Sequence, residues 1–258
     1  MHEKDTNIIQ RSNIQTDVVV VNQCDKDCIE EWDFINKQGQ QCHAKFINTT
    51  ERGLSRSRNM AIANSWGDIC LICDDDEYLH DGYERLILQG YSEIPSASLI
   101  AFSLNRKDLT KHYPVEVRSL KFRQILKTSS LQLTFRKKDL EEKRIRFDVN
   151  LGSGTGNGGG EENKFQLDFK RKGLKIYYHP NCIATVNPGE SQWFHGYTPD
   201  YFTTWGWSTR RIFGNKSLAF VPYFVITHRN KYKGEISMMN ALKCALRGWF
   251  EKREIKEK

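Results

Sequence analysis

Three consecutive carboxylates, Asp74, Asp75 and Asp76, close an apolar run in the stretch SWGDICLICDDDEYLHDG. Adjacent negative charges at the end of a buried strand repel one another unless water or a cation stands against them. Two arrangements fit. The aspartates can form a solvated turn that caps the next helix, or one or two of them can hold a divalent cation together with the phosphates of a substrate. A calcium loop is excluded, because it needs oxygen ligands spaced along about twelve residues with glycine at the sixth position. A second acidic pair, Glu161 and Glu162, follows the run GSGTGNGGG and opens a helical pattern with Phe165 and Phe169 on one face. Carboxylates in a first helical turn are held ionised by the helix dipole. Such a group either stabilises its helix or serves as a general base for an attacking hydroxyl.

The elements that must position these acids alternate. DVVVVNQCD (17–25) predicts a buried strand ending in polar residues, among them Asn22 and Asp25. CIEEWDFINKQG predicts a short helix closed by Gly39, and AKFINT a strand. GLSRSRNMAIANSWG predicts a helix with Ser55 or Ser57 as N-cap and Gly67 past its end. DICLIC is the next strand and GYERLILQGY the next helix. This rhythm belongs to a parallel sheet with helices on both faces, which binds ligands outside the carboxyl ends of its strands. Further on, ASLIAFSLN and SLQLTFRKKDL predict strands, EENKFQLDFKRKG a helix ended by Gly173, and LKIYYHP a strand stopped by Pro180.

The chain as a whole sets bounds. Its 258 residues suffice for one large domain, and no stretch approaches the roughly 18 consecutive apolar residues of a membrane span. With no apolar leader at the start, the expected location is the cytoplasm. The net charge of +7 suits phosphate-rich ligands, anionic membrane surfaces or nucleic acid without choosing among them. Cys70 and Cys73, three apart on a strand, point to opposite faces and share no metal, so the seven cysteines read as reduced and structural. Gly154, Gly156 and Gly159 match a dinucleotide fingerprint only formally, because no first βαβ strand precedes them. A loop that closes over a ligand, or a plain linker, are the readings left.

GLSRSRNMAIANSWGDICLICDDDE resembles the core of the family 2 glycosyltransferases of the GT-A fold. There, a small-Arg-Asn helix start precedes a Gly-Asp turn, a hydrophobic strand and an Asp-x-Asp motif. Arg58-Asn59 and Asp74-Asp75-Asp76 match residue by residue, and GGGEEN resembles the family's Gly-Glu-Asp motif, with Glu162 in place of the aspartate. The resemblance implies an α/β, Rossmann-like GT-A domain over 1–190, with a mostly parallel central sheet and helices on both faces. Residues 191–258 become an aromatic and basic extension packed on the same domain, facing an acceptor or a membrane. It implies an inverting, metal-dependent transferase that moves a sugar from a nucleoside-diphosphate sugar, a UDP-sugar first among them, to an acceptor hydroxyl. The family's setting is bacterial polysaccharide or glycolipid assembly. In this scheme Arg58, Asn59, Asp74 and Asp75 bind the nucleotide-sugar, and Asp76 with Asp74 holds Mn2+ or Mg2+. Asn22 and Asp25 stand where the family contacts the base, and Glu162, beside Glu161, is the general base. The partners are the donor, a glycan or lipid-linked acceptor and an anionic membrane surface at the inner face of the membrane; nucleic acid is not expected.

Two features depart from the pattern. The family's metal-site histidine corresponds to Asn187, with His195 the nearest substitute. The valine strand resembles the family's second strand, so the domain is expected to be truncated at its N-terminus. That leaves two rivals, a degenerate binding module and a nucleotidyltransferase. Finally, Ile236, Met239, Leu242, Leu246 and Trp249 recur at helical spacing among basic residues. Such a stripe suits a helix lying on an anionic membrane or one packed on its own domain.

Overall fold

The computed structural model describes residues 7–106, 113–186, 194 and 196–253. In chain order come α1 (Ile8–Arg11), β1 (Val18–Gln23), β2 (Cys28–Ile35), β3 (Gln41–Thr49), α2 (Leu54–Asn64), β4 (Ile69–Leu71) and β5 (Glu77–Leu79). There follow α3 (Tyr83–Glu93), β6 (Leu99–Arg106), β7 (Arg118–Ser119), α4 (Phe122–Ile125), β8 (Leu133–Arg136), α5 (Lys137–Glu142), α6 (Glu161–Arg171) and β9 (Ile176–Val186). The last helices are α7 (Pro199–Phe213), α8 (Phe220–Thr227), α9 (Arg229–Tyr232) and α10 (Met238–Phe250). The chain divides into two units, one of Met1–Arg52, Arg56–Arg146 and Phe165–Glu190, the other of Gly53–Ser55, Phe147–Lys164 and Ser191–Lys258.

In the first unit, β-branched valines make β1 an extended strand that runs parallel to β3, with Val18 opposite Ala44 and Gln23 opposite Thr49. The segment expected as a helix closed by Gly39 is instead the strand β2, antiparallel to β3. Its inward residues repeat every second position: Trp32 and Phe34 pack towards Phe46, while Glu31 pairs with Lys45 and Asp33 with His43 on the other face. Gly39, at φ 77°, turns a hairpin whose amides at Gln38 and Gln40 both donate to the Asn36 side chain at 2.9 Å.

A second sheet runs in the order β4-β8-β6-β9-β5, with β7 beside β9. Among the described residues only β1/β3 and β6/β9 pair in parallel, so the sheets are mixed where the sequence pattern led us to expect a mostly parallel one. In the first sheet the connection between β2 and β3 is too short for a helical crossover, so those two strands pair antiparallel. β6 is buried on both faces from Leu99 to Ser103, and against Phe135 of β8 pack Phe165 of α6, edge-on, and Phe169, tilted. Pro180 does not stop its strand. β9 runs through it to Val186, and the register against β6 shifts on either side of Ser103, the kind of irregularity that accommodates a residue with no N–H.

The second unit is built on α7 and α10. Thr198 caps α7, its hydroxyl accepting from Tyr201 N–H at 3.1 Å, with Pro199 at the first position. The two helices touch backbone to backbone: a Cβ on Gly206 would lie 2.0 Å from the Ala245 carbonyl oxygen, and one on Gly248 1.8 Å from that of Thr203. Phe202, Val221, Val225, Tyr232, Ala241, Ala245 and Trp249 complete this core. The apolar stripe of α10 therefore packs on its own unit, with Met239 left exposed.

Candidate active site

The carboxyl end of β4 gathers the first group of chemically capable residues. Ile72 N–H donates to the Leu133 carbonyl at 3.1 Å, the last rung before the chain turns through Asp74–Asp76 into β5. Helix α2 starts at Leu54, after Gly53 at φ 119°, so neither Ser55 nor Ser57 is its N-cap. The Ser55 hydroxyl donates to the Leu151 carbonyl, and Ser57 accepts from Gln23. This start places Arg58 one turn in, where it is buried to 6% exposure. Its Nη2 donates to both Asp74 carboxylate oxygens, at 3.2 and 3.3 Å, and to Ser130 Oγ at 2.9 Å. Two residues selected from sequence, 16 apart in the chain, thus meet.

Arg58, with the charge of Arg106 near Asp76, does not balance this turn. Partial desolvation, with the charges of Asp74 and Asp75 beside it, raises the Asp76 carboxyl above the ordinary aspartate range. The next residue, Glu77, is 2% exposed, and both its carboxylate oxygens are buried without a hydrogen bond. Burial first, then Asp74, pushes its carboxyl well above the usual range. Both groups carry surplus negative potential of the kind that a bound cation relieves. Among the described residues, no group of three or more His, Cys, Asp or Glu side chains is arranged to hold a metal. All seven cysteines are unbridged.

At the end of β1, Asn22 is buried and donates to Asn48 Oδ1 at 2.8 Å. Asp25 is exposed and accepts from Arg52 at 2.7 Å, and the same guanidinium donates to the carbonyls of Cys24 and Thr50. Asn59 and Asp75 are half-buried.

The second acidic pair lies in the other unit. Glu161 and Glu162 form the first turn of α6, Glu161 buried and Glu162 half-exposed. The Glu161 carboxylate lies so close to Gly152 that a Cβ there would approach it to 3.2 Å. The glycine run folds on itself. Gly152, Gly154, Gly156, Gly158 and Gly160 all take positive φ, from 74° to 99°, and Gly152 N–H donates to the Gly158 carbonyl at 2.9 Å. Just upstream, Asp148 receives two hydrogen bonds from Arg211 at 2.7 and 2.8 Å, with Lys164 at 3.9 Å. Burial alone would raise the Asp148 carboxyl, but the Arg211 bonds, the Asn150 amide and the charges of Arg211 and Lys164 together outweigh it and hold the group below its usual range. Asn187 and His195 lie outside the described residues.

Residues 6–153, more than half of the chain, match the family model described as Glycosyl transferase family 2. The chain belongs to glycosyl transferase family 2. No curated protein sequence matches it. Among solved structures, S. aureus TarS 1-349 in complex with UDP-GlcNAc is similar at a TM-score of 0.60 and 14% identity, over 94% of this chain and 76% of that one. The same TarS fragment with UDP gives 0.57 at 14% identity, over 94% and 75%. TarS 1-349 without either gives 0.52 at 14% identity, over 95% of this chain and 66% of that one, so the chain spans just under two thirds of that relative. A likeness at this identity shows the fold, which is GT-A.

Within this family member, the structure adds residues that sequence reasoning passed over. Ser130 and Glu77 adjoin the Arg58–Asp74 pair, Arg52 holds Asp25, and Asp148 braces the segment before α6. Only Glu77 carried a sequence signal, as the fourth acid of the run; the others depend on partners far away in the chain.

Proposed function

We propose that the chain is an inverting glycosyltransferase that moves a sugar from a nucleoside-diphosphate sugar, a UDP-sugar first among them, to a hydroxyl of a glycan or lipid-linked acceptor. The observation that carries this reading is the buried Arg58 paired with the half-buried Asp74, beside an acidic turn with surplus negative charge, at a strand's carboxyl end, in a chain of this family. Arg58, Asn59, Asp74 and Asp75 are assigned to the donor, and Asn22 and Asp25 to its base. The similar TarS structures were solved with UDP and UDP-GlcNAc, which makes these the first ligands to assay.

The acidic turn fits a divalent cation, its donors being hard carboxylate oxygens that share an unbalanced field. Asp76, with Asp74, would hold Mg2+ or Mn2+, and the remaining ligands would be diphosphate oxygens. The chemistry such an ion would supply is electrostatic, offsetting the charge that develops on the leaving diphosphate. Glu162 accepts the proton of the acceptor hydroxyl at a carboxylate oxygen. The acceptor oxygen bonds to the anomeric carbon as the bond to the diphosphate oxygen breaks on the opposite side, which inverts that centre. Glu161, packed against Gly152, anchors the turn that carries Glu162. A lipid-linked acceptor would be met at a membrane surface, and no helix among the described residues is long and apolar enough to cross one.

The test is release of nucleoside diphosphate from UDP-GlcNAc and other nucleotide-sugars, with and without Mn2+. Asp76→Ala is expected to lower turnover about 10²-fold or more, and Glu162→Gln to lower kcat by about 10²–10⁴-fold while sparing donor affinity. Pyrophosphate as product would instead mean nucleotidyl transfer. Turnover by Asp76→Ala equal to that of the unaltered chain would overturn the assignment of this turn.

A further inference from the structure

The α7–α10 unit carries one helix that is apolar on every side. In α8, Val221 and Val225 are fully buried in the core, yet Phe220, Tyr223 and Ile226, three residues apart in turn, point outward at 40%, 60% and 61% exposure. Leu218, just before the helix, is exposed as well. Helices of such composition belong in a protein core or in contact with lipid. A single exposed apolar residue is ordinary, whereas a contiguous exposed row marks a contact surface.

The surrounding charge identifies the occupant. From Tyr201 to Gly234 the chain has no aspartate or glutamate and six lysines and arginines. Of these, Lys216 precedes the helix, and Arg229, Lys231 and Lys233 follow it; all four are exposed. An apolar centre with cations at both ends and no acid between complements a surface that is apolar within and anionic around. That is the interface of a bilayer containing anionic lipid. The eight residues of α8 measure about 12 Å, far short of a bilayer's hydrocarbon core, so the helix would lie in the interface and not cross it. Phenylalanine and tyrosine rings suit this depth.

We propose that the outer face of α8, with Phe220, Tyr223 and Ile226 inserted and Lys216, Arg229, Lys231 and Lys233 on the headgroups, docks the protein on an anionic lipid surface. This replaces the α10 stripe as the membrane-facing element, because that stripe is packed internally. The proposal is independent of the transferase reading, since its readout is binding alone.

The test is co-sedimentation of the full chain with vesicles of pure phosphatidylcholine and of phosphatidylcholine mixed with phosphatidylglycerol, at low and high salt. Binding is expected on the mixed vesicles only, and salt should weaken it. Phe220→Ser/Tyr223→Ser/Ile226→Ser should reduce it about tenfold or more with the melting temperature unchanged. Replacing the four cations by glutamine should reduce it similarly. If the triple variant unfolds, Ile226→Glu alone supplies the same comparison at the most exposed position. Absence of binding to mixed vesicles would overturn the proposal, as would binding insensitive to the apolar substitutions. Self-association that the same substitutions abolish, without lipid binding, would assign the face to a second copy of the chain.

Discussion

The two acidic centres differ in how their charge is balanced. In the first unit, Arg58 reaches Asp74, while burial first and then the neighbouring Asp74 charge raise the carboxyls of Asp76 and Glu77. In the second, Asp148 is half-buried but receives a forked pair of bonds from Arg211, with Lys164 nearby, and is held below its usual range. A buried acid with a matched cation is architecture. One left with surplus charge costs the empty protein stability and is therefore a place where a cationic or cation-bearing ligand gains affinity.

The contrast can be broken at its compensated end first. Asp148→Ala would leave Arg211 without its forked acceptor, and a loss of about 3 kcal/mol is expected in denaturant unfolding of the full chain. A loss under half of that would mean that the pair does not brace this segment. The pH dependence sharpens the same difference at intermediate size, because the two centres have opposite signs. Asp148 is depressed in the folded state, so its stabilisation is present above the ordinary aspartate range and is lost as pH falls through the folded value. Glu77 is raised, so the stability it permits is complete below the ordinary glutamate range and is lost as pH climbs towards its folded value. Glu77→Gln should therefore remove part of the decline on the alkaline side, gaining about 1 kcal/mol at neutral pH without added cation. Melting curves from pH 5 to 8 that run parallel for the two proteins would contradict this. The smallest effect belongs to the exposed Asp25–Arg52 pair: Arg52→Ala should change stability by less than about 1 kcal/mol. Its consequence should appear in the KM for donor, with kcat retained, if Asp25 faces the base.

How much of this was legible beforehand varies by residue. The valine strand, the helix carrying Arg58 and the acidic turn follow from local periodicity and from the ends of the elements. The hairpin strand β2 departs from the expected helix because CIEEWDFI satisfies either period over so short a span, and its partners Lys45 and His43 lie on a strand that only folding brings alongside. Pro180 signals a stop in the sequence because a missing N–H ends most ladders, whereas a register shift in the structure absorbs it. The α10 stripe was visible as amphipathic, but its destination depended on two glycine contacts with α7.

By itself the sequence determined the chemical inventory: which carboxylates and which arginine stand at element ends, and an apolar pattern of the right period to put them there. These are local properties, governed by neighbours a few residues away. Tertiary structure alone decided which charges meet. Arg58 is silenced against Asp74 and Ser130, Asp148 against Arg211, and Glu77 against no cation among the described residues, because pairing depends on desolvation and on partners up to 72 residues distant in the chain.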